Sequence, residues 1–210
     1  MFDPVQIRLD LSHPETQTIG VSIEWTPLTK RQTFQLPVWT PGSYTVRDHA
    51  QHLHSLQLRA NGEELPVRRL APHQWLCDLP DLSPLTLAYQ LEARDLTVRT
   101  GLLDPDFASL CLAAVVMDVD GCRWSPHHVV VTAPDHWSVH LPLKASAEGW
   151  VAADFDALVD SPLHAGPFQA EPFTVEGCSH ELLLIGAPPM GWPASFINDI
   201  EKVCSATCRL

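Results

Sequence analysis

The chain has 210 residues, enough for one large domain or two small ones, and at this size roughly 70% of the unfolded surface is buried on folding, so no disulfide or metal staple is needed. Hydrophobic residues make up 45% and charged residues 18%, while 19 Pro against 2 Tyr point to many short strands with stiff connections. A formal net charge of −12, with 13 basic residues and no basic cluster beyond Arg68-Arg69, makes nucleic acid and anionic membranes poor partners.

The N-terminus, Met1-Phe2-Asp3-Pro4, has neither a basic n-region nor an apolar h-region. No apolar run approaches the ~20 residues of a membrane helix, and a cytoplasmic protein is expected. Period-two alternation starts at once. Val5, Ile7, Leu9 and Leu11 mark one strand, Ile19, Val21, Ile23 and Trp25 the next, and Phe34, Leu36 and Val38 a third that should end at Trp39. Pro41-Gly42 then imposes a sharp turn, because Pro fixes φ and Gly accepts positive φ. Past it, a small hydroxyl, a phenol and adjacent charges are presented on one rigid loop. The candidate site residues are therefore Trp39, Ser43, Tyr44, Arg47 and Asp48. Tyr44 has two readings: a phenol donor towards substrate or a neighbouring domain, or a half-buried aromatic with its hydroxyl satisfied nearby. Energetically, Arg47-Asp48 reads as a local ion pair worth ~0–1 kcal/mol, on a loop that could still orient a peptide terminus.

His49, His52 and His54 read as the solvated face of an extended segment rather than as metal ligands. Leu56, Leu58 and Ala60 lead into Asn61-Gly62, a type I′ hairpin signal. Leu85, Leu87, Tyr89, Leu91 and Ala93 make one of the clearest strands. Asp118-Val119-Asp120-Gly121 lacks the later acidic ligands of a calcium loop and reads as a hairpin turn. His127-His128, read as solvated, precede the buried run Val129-Val130-Val131; Val139, Leu141 and Leu143 and then Trp150-Val151-Ala152 continue the strand pattern. Asp156 and Asp160 lie four apart but have no nearby nucleophile or metal to work beside. A structural role is expected instead, with Asp160 or Ser161 closing a tight turn around Pro162 through bonds to backbone N–H groups.

The pattern predicts a mainly β, β-sandwich-like domain over residues 1–190. A helix is predicted over 191–210, where Phe196, Ile197, Ile200 and Val203 follow helical spacing behind Pro193. No C-cap residue precedes Arg209-Leu210. Two readings stay open: the start of a link to a further domain, or a terminal helix docked on the sandwich. The six Cys have no framework spacing and are expected reduced; Cys204 and Cys208 share a helix face but lack a matching pair for a metal site.

Four blocks carry a family resemblance. They are Leu36-Pro-Val-Trp-Thr-Pro-Gly-Ser-Tyr-Thr-Val-Arg-Asp-His-Ala50, Glu92-Ala-Arg-Asp-Leu-Thr-Val-Arg99 leading to Leu103-Asp104, Asp154-Phe-Asp-Ala-Leu-Val-Asp-Ser-Pro162, and Phe173-Thr-Val-Glu-Gly177 with His180-Glu-Leu182 and Ile185-Gly186. In this order they resemble the N-terminal domain of the glycyl aminopeptidase family, the PDZ-containing zinc metallopeptidases of peptidase family sixty-one. That family carries H-E-x-x-H on a helix, two His gripping Zn²⁺ and a Glu acting as general base. Here the one candidate, His180-Glu-Leu-Leu-Leu184, has Leu in place of the second His and reads as a buried strand of a hairpin turning at Glu176-Gly177. The resemblance thus implies a non-catalytic front domain with no cofactor of its own, inactive alone. It also implies zinc in a catalytic domain outside this sequence, peptide substrates, and a role in packing on that domain and narrowing its cleft. The rival expectation is a stand-alone binding module for peptides or carbohydrates, with some of the seven Trp lined up on an open face.

Overall fold

The computed structural model describes residues 3–39, 44–186 and 191–209. In chain order the strands are β1 (Val5–Asp10), β2 (Thr18–Trp25), β3 (Arg31–Gln35), β4 (Leu53–Ala60), β5 (Glu63–Leu65) and β6 (Arg68–Ala71). There follow β7 (Gln74–Asp78), β8 (Leu85–Glu92), β9 (Gly101–Leu103), β10 (Ala108–Leu110), β11 (Asp118–Val119) and β12 (His127–Thr132). The last are β13 (Ser138–His140), β14 (Lys144–Ala145), β15 (Trp150–Ala152), β16 (Leu163–Gly166), β17 (Gln169–Val175) and β18 (Cys178–Leu184). Two α-helices, α1 (Phe155–Val159) and α2 (Phe196–Cys208), and three short 3-10 turns accompany them among the described residues.

An eight-stranded sheet in the order β14-β15-β12-β1-β2-β8-β4-β5 forms the base. Its centre alternates cleanly: Val5, Ile7 and Leu9 of β1, Ile19, Val21 and Ile23 of β2, and Leu85, Leu87 and Leu91 of β8 all point into the core. β1 runs parallel to β12, with Ile7 opposite Val129, and antiparallel to β2. Two four-stranded sheets, β11-β3-β7-β6 and β13-β16-β10-β9, supply further strands around one continuous core. Trp25 packs edge-on against Phe34, and Phe34 stacks on Trp75, so aromatic rings tie the base sheet to the smaller one. The result is the mainly β, sandwich-like architecture that the alternation implied. Asn61 and Gly62 both have positive φ, as a type I′ turn between β4 and β5 requires.

Several expectations need correction. The third strand ends at Gln35 rather than Trp39, because Pro37 has no N–H to extend the ladder. Leu36 is nevertheless fully buried. His49 does not lie on a solvated strand: it begins a 3-10 turn, His49–His52, and is buried. His127 is inside β12 itself and only 2% exposed. Asp118-Val119 pairs with β3, so the turn closed by Cys122 N–H on the Val119 carbonyl is not the tip of a two-strand hairpin. β18 does form a hairpin with β17, through Glu176-Gly177 at positive φ, but its Leu182, Leu183 and Leu184 are only half-buried.

Candidate functional site: a groove beside the Trp39 loop

Where the chain leaves β3 it passes through Pro37, Val38 and Trp39 and forms one wall of an open groove of about 1260 Å³. The loop Leu96-Thr97-Val98 forms another wall, and the segment from Asp154 to Pro162, containing α1, a third. Three of the four blocks that carry the family resemblance therefore converge on one feature. The groove's rim is apolar and open: Trp39 is 53%, Leu96 60% and Val98 88% exposed. Its polar lining is dominated by carboxylates, Asp118, Asp154, Asp156 and Asp160, against the single guanidinium of Arg123.

Arg123 organises this wall. Its guanidinium contacts Asp118 of β11 and Asp156 of α1, each at 2.5 Å, and lies over the rings of Phe155 and Trp124. Burial pushes the Asp118 carboxyl upward, and the Arg123 charge opposes that shift. The helix itself is started by Asp154, whose carboxylate accepts the Ala157 N–H at 2.8 Å as an N-cap. At its other end the Ser161 hydroxyl donates to the Ala157 carbonyl at 2.8 Å, so Ser161 acts on a carbonyl and not on the N–H groups expected. Asp156 is held by Arg123. His164 also faces the groove, with its imidazole held below its usual range by burial and then by His140.

Of the predicted site residues, Trp39 lines the groove and Ser43 lies outside the described residues, as do Thr40, Pro41 and Gly42. Tyr44 is fully exposed, which excludes the half-buried reading. Arg47 is tied to the groove wall through its backbone, its N–H donating to the Val38 carbonyl at 2.7 Å. No ion pair joins Arg47 to Asp48 among the described residues; the Arg47 Nε is enclosed without an acceptor, while Asp48 is exposed at the head of the His49 turn. A smaller cleft of about 270 Å³ opens beside His49, His52, Glu92, Arg94 and Asp95. The sequence reasoning passed over Asp154 and Arg123. Asp154 carried a usable signal, an Asp directly ahead of a short apolar turn. Arg123 carried none, since both its partners are distant or unremarkable in sequence.

Among the described residues no three His, Cys, Asp or Glu side chains gather as a metal site, and no helix is long and apolar enough to cross a membrane. The Trp residues divide: Trp25, Trp75 and Trp137 are buried, Trp150 is half-buried, Trp124 stacks on Arg123 and Trp192 on Phe196.

This fold recurs as one part of larger aminopeptidases. An aminopeptidase N family protein from Idiomarina loihiensis superposes with a TM-score of 0.86 at 26% identity, over 96% of this chain and 35% of its own. An M1 zinc metallopeptidase from Deinococcus radiodurans matches at a TM-score of 0.54 and 14% identity, over 97% of this chain and 52% of its own. Legionella pneumophila aminopeptidase A, in complex with aspartic acid, matches at 0.51 and 14%, over 90% and 24%. The chain thus spans about a quarter to a half of the length of these neighbours. No curated protein sequence matches it significantly. The fold defines the class: a β-rich N-terminal domain of aminopeptidase-like proteins. A family model for the Peptidase M61 N-terminal domain matches residues 6–167, and the chain belongs to that family.

Proposed function

We propose that the chain serves as the non-catalytic N-terminal domain of a zinc-dependent aminopeptidase, packing on the catalytic domain and shaping the cleft that receives peptide substrates. One observation carries this reading: three of the family's four sequence blocks line a single open groove whose rim exposes Trp39, Leu96 and Val98 instead of burying them. Exposed apolar surface rimmed by polar groups marks a contact with further protein. The zinc and the H-E-x-x-H that would hold it belong, on this reading, to the catalytic domain; no group in this chain is assigned to the metal.

Tyr44 and Arg47 are the residues assigned to the substrate side. The Tyr44 phenol is free to donate, and the Arg47 guanidinium, with Nε enclosed, offers a cation to a carboxylate or carbonyl supplied from outside. In the longer enzyme, Tyr44→Phe and Arg47→Ala should each lower kcat/KM for peptides about 10-fold or more, while the melting temperature stays within ~2 °C. Wild-type kcat/KM in both variants would reduce the loop to scaffolding. The alternative of a stand-alone peptide or carbohydrate module is weakened by the burial of Trp25, Trp75 and Trp137, which leaves it only Trp39, Trp124 and Trp192 as exposed stacking surface.

A further inference from the structure

The small cleft beside the His49 turn is built differently from the groove. Its floor is apolar and closed: Ile19, Leu91, Ala93 and Val115 are between 0% and 3% exposed. One imidazole is set among them. His49 is 8% exposed, and its side chain makes no hydrogen bond among the described residues. A buried polar group without a partner costs free energy and calls for a reason. Burial holds the His49 pKa below its usual range, with the Arg47 and His52 charges adding to the shift and Asp48 opposing it. Near neutral pH the ring is therefore uncharged, with one N–H and one lone pair to offer whatever enters.

The mouth of the cleft carries charge of both signs. Arg94 Nη2 stands 3.6 Å from Glu92 Oε1, too far for a hydrogen bond, so guanidinium and carboxylate both keep free bonding positions. The Asp95 carboxylate accepts no hydrogen bond among the described residues. Only its backbone is engaged: the N–H donates to the Gly101 carbonyl at 3.1 Å, and the carbonyl accepts from the Thr100 hydroxyl at 2.8 Å. These bonds close the loop from Asp95 to Thr100, which also lines the groove through Leu96, Thr97 and Val98. At about 270 Å³ the cleft falls short of the usual range for drug-sized ligands, so its occupant is small.

We propose that this cleft binds a free α-amino acid as its zwitterion. The ammonium group meets Glu92 and Asp95, the carboxylate meets Arg94, and a short side chain rests on the apolar floor. The His49 ring completes whichever charged group reaches it, since it can donate or accept. An ion of one sign leaves half of this arrangement unpaired. Free amino acids are what the aminopeptidase proposed above releases, so the cleft is a product site. That role rests on the multidomain reading, while the binding rests on the cleft alone.

The probe is L-alanine, titrated into the 210-residue chain and followed by NMR of the histidine ring nitrogens. The His49 signals should move and saturate. L-Alaninamide, which lacks the carboxylate, and N-acetyl-L-alanine, which lacks the ammonium, should each bind about 10-fold or more weakly, because each loses a charge-assisted contact. Arg94→Gln alters an exposed side chain and should keep the melting temperature while weakening L-alanine by a similar factor; His49→Gln should weaken it too. No saturable shift up to the solubility limit of L-alanine would overturn the inference. Equal binding of L-alaninamide would reduce the cleft to an amine site, and unchanged binding by Arg94→Gln would put the amino acid elsewhere; either result overturns it. None of these measurements reads peptide turnover, so failure here and failure of the Tyr44 and Arg47 kinetics are told apart.

Discussion

Tyr89 is the side chain on which the middle of the core turns. Its ring is 2% exposed, its hydroxyl donates to the Val115 carbonyl at 2.8 Å and accepts from the Met117 N–H at 3.1 Å, and burial drives its pKa upward. Tyr89→Phe keeps the packing but strands two buried backbone groups, so urea titration should show a loss of about 1–3 kcal/mol. His127 is the second such residue. It packs against Phe155, and its Nδ1–H donates to the Ser125 carbonyl at 2.8 Å. Burial lowers its pKa from 6.5 to about 4, with the Ser125 bond opposing. Since the folded pKa lies below the unfolded one, the unfolded chain binds more protons between these values. Stability is therefore full above pH 6.5 and falls as the pH drops towards 4. His49 and His164, both shifted downward by burial, add loss of the same sign. In His127→Gln, the fall in unfolding free energy between pH 7 and pH 4.5 should be smaller by about 2 kcal/mol, measurable by denaturant titration at each pH. The burial of His127 was missed, although period two places it on the inward face with Val129. The burial of His49 was not legible, because a 3-10 turn leaves no alternation to read.

Turns and termini decide the individual elements. Gly149, in the turn between β14 and β15, has φ +153, and an added Cβ would lie 2.1 Å from the Val129 carbonyl oxygen. That carbonyl belongs to the backbone of β12, which pairs with β15 there, so nothing can move aside. Gly149→Ala should cost more than about 2 kcal/mol and lower the melting temperature by several degrees, read by calorimetry. The two-residue turns at Asn61-Gly62 and Glu176-Gly177 were legible from local chemistry alone. The bulge in β4 was not: Ser55 sits at positive φ, and the register slips between His54 and Gln57. No residue type there announces an extra residue in the ladder. α1 escaped for a related reason, since five residues are too few for a 3.6-residue period to show; its cap and the Arg123 contacts with Asp118 and Asp156 hold it in place.

For the whole molecule, the division between a shared β core and an uncovered perimeter governs what the chain can do by itself. The purified 210 residues should bind no stoichiometric zinc and hydrolyse no aminoacyl or peptide substrate. One tightly held Zn²⁺ per chain with chelator-sensitive hydrolysis, by metal analysis and activity assay, would refute this. The fold class was legible because alternation is local; of the groove, Trp39 was legible because it sits in a family block, while Arg123 and its partner Asp118 were not. Which strands become neighbours was not legible: nothing in Val5–Asp10 says that it will lie parallel to His127–Thr132. That pairing bears on synthesis. β1 emerges from the ribosome first and finds β2 within a few residues, yet its other edge stays open until β12 has been translated. At about 5–20 residues per second, this leaves a bare, apolar strand edge on the nascent chain for roughly 6–24 seconds. During that interval the growing polypeptide is a target for holdase chaperones, and slowing its translation prolongs the exposure.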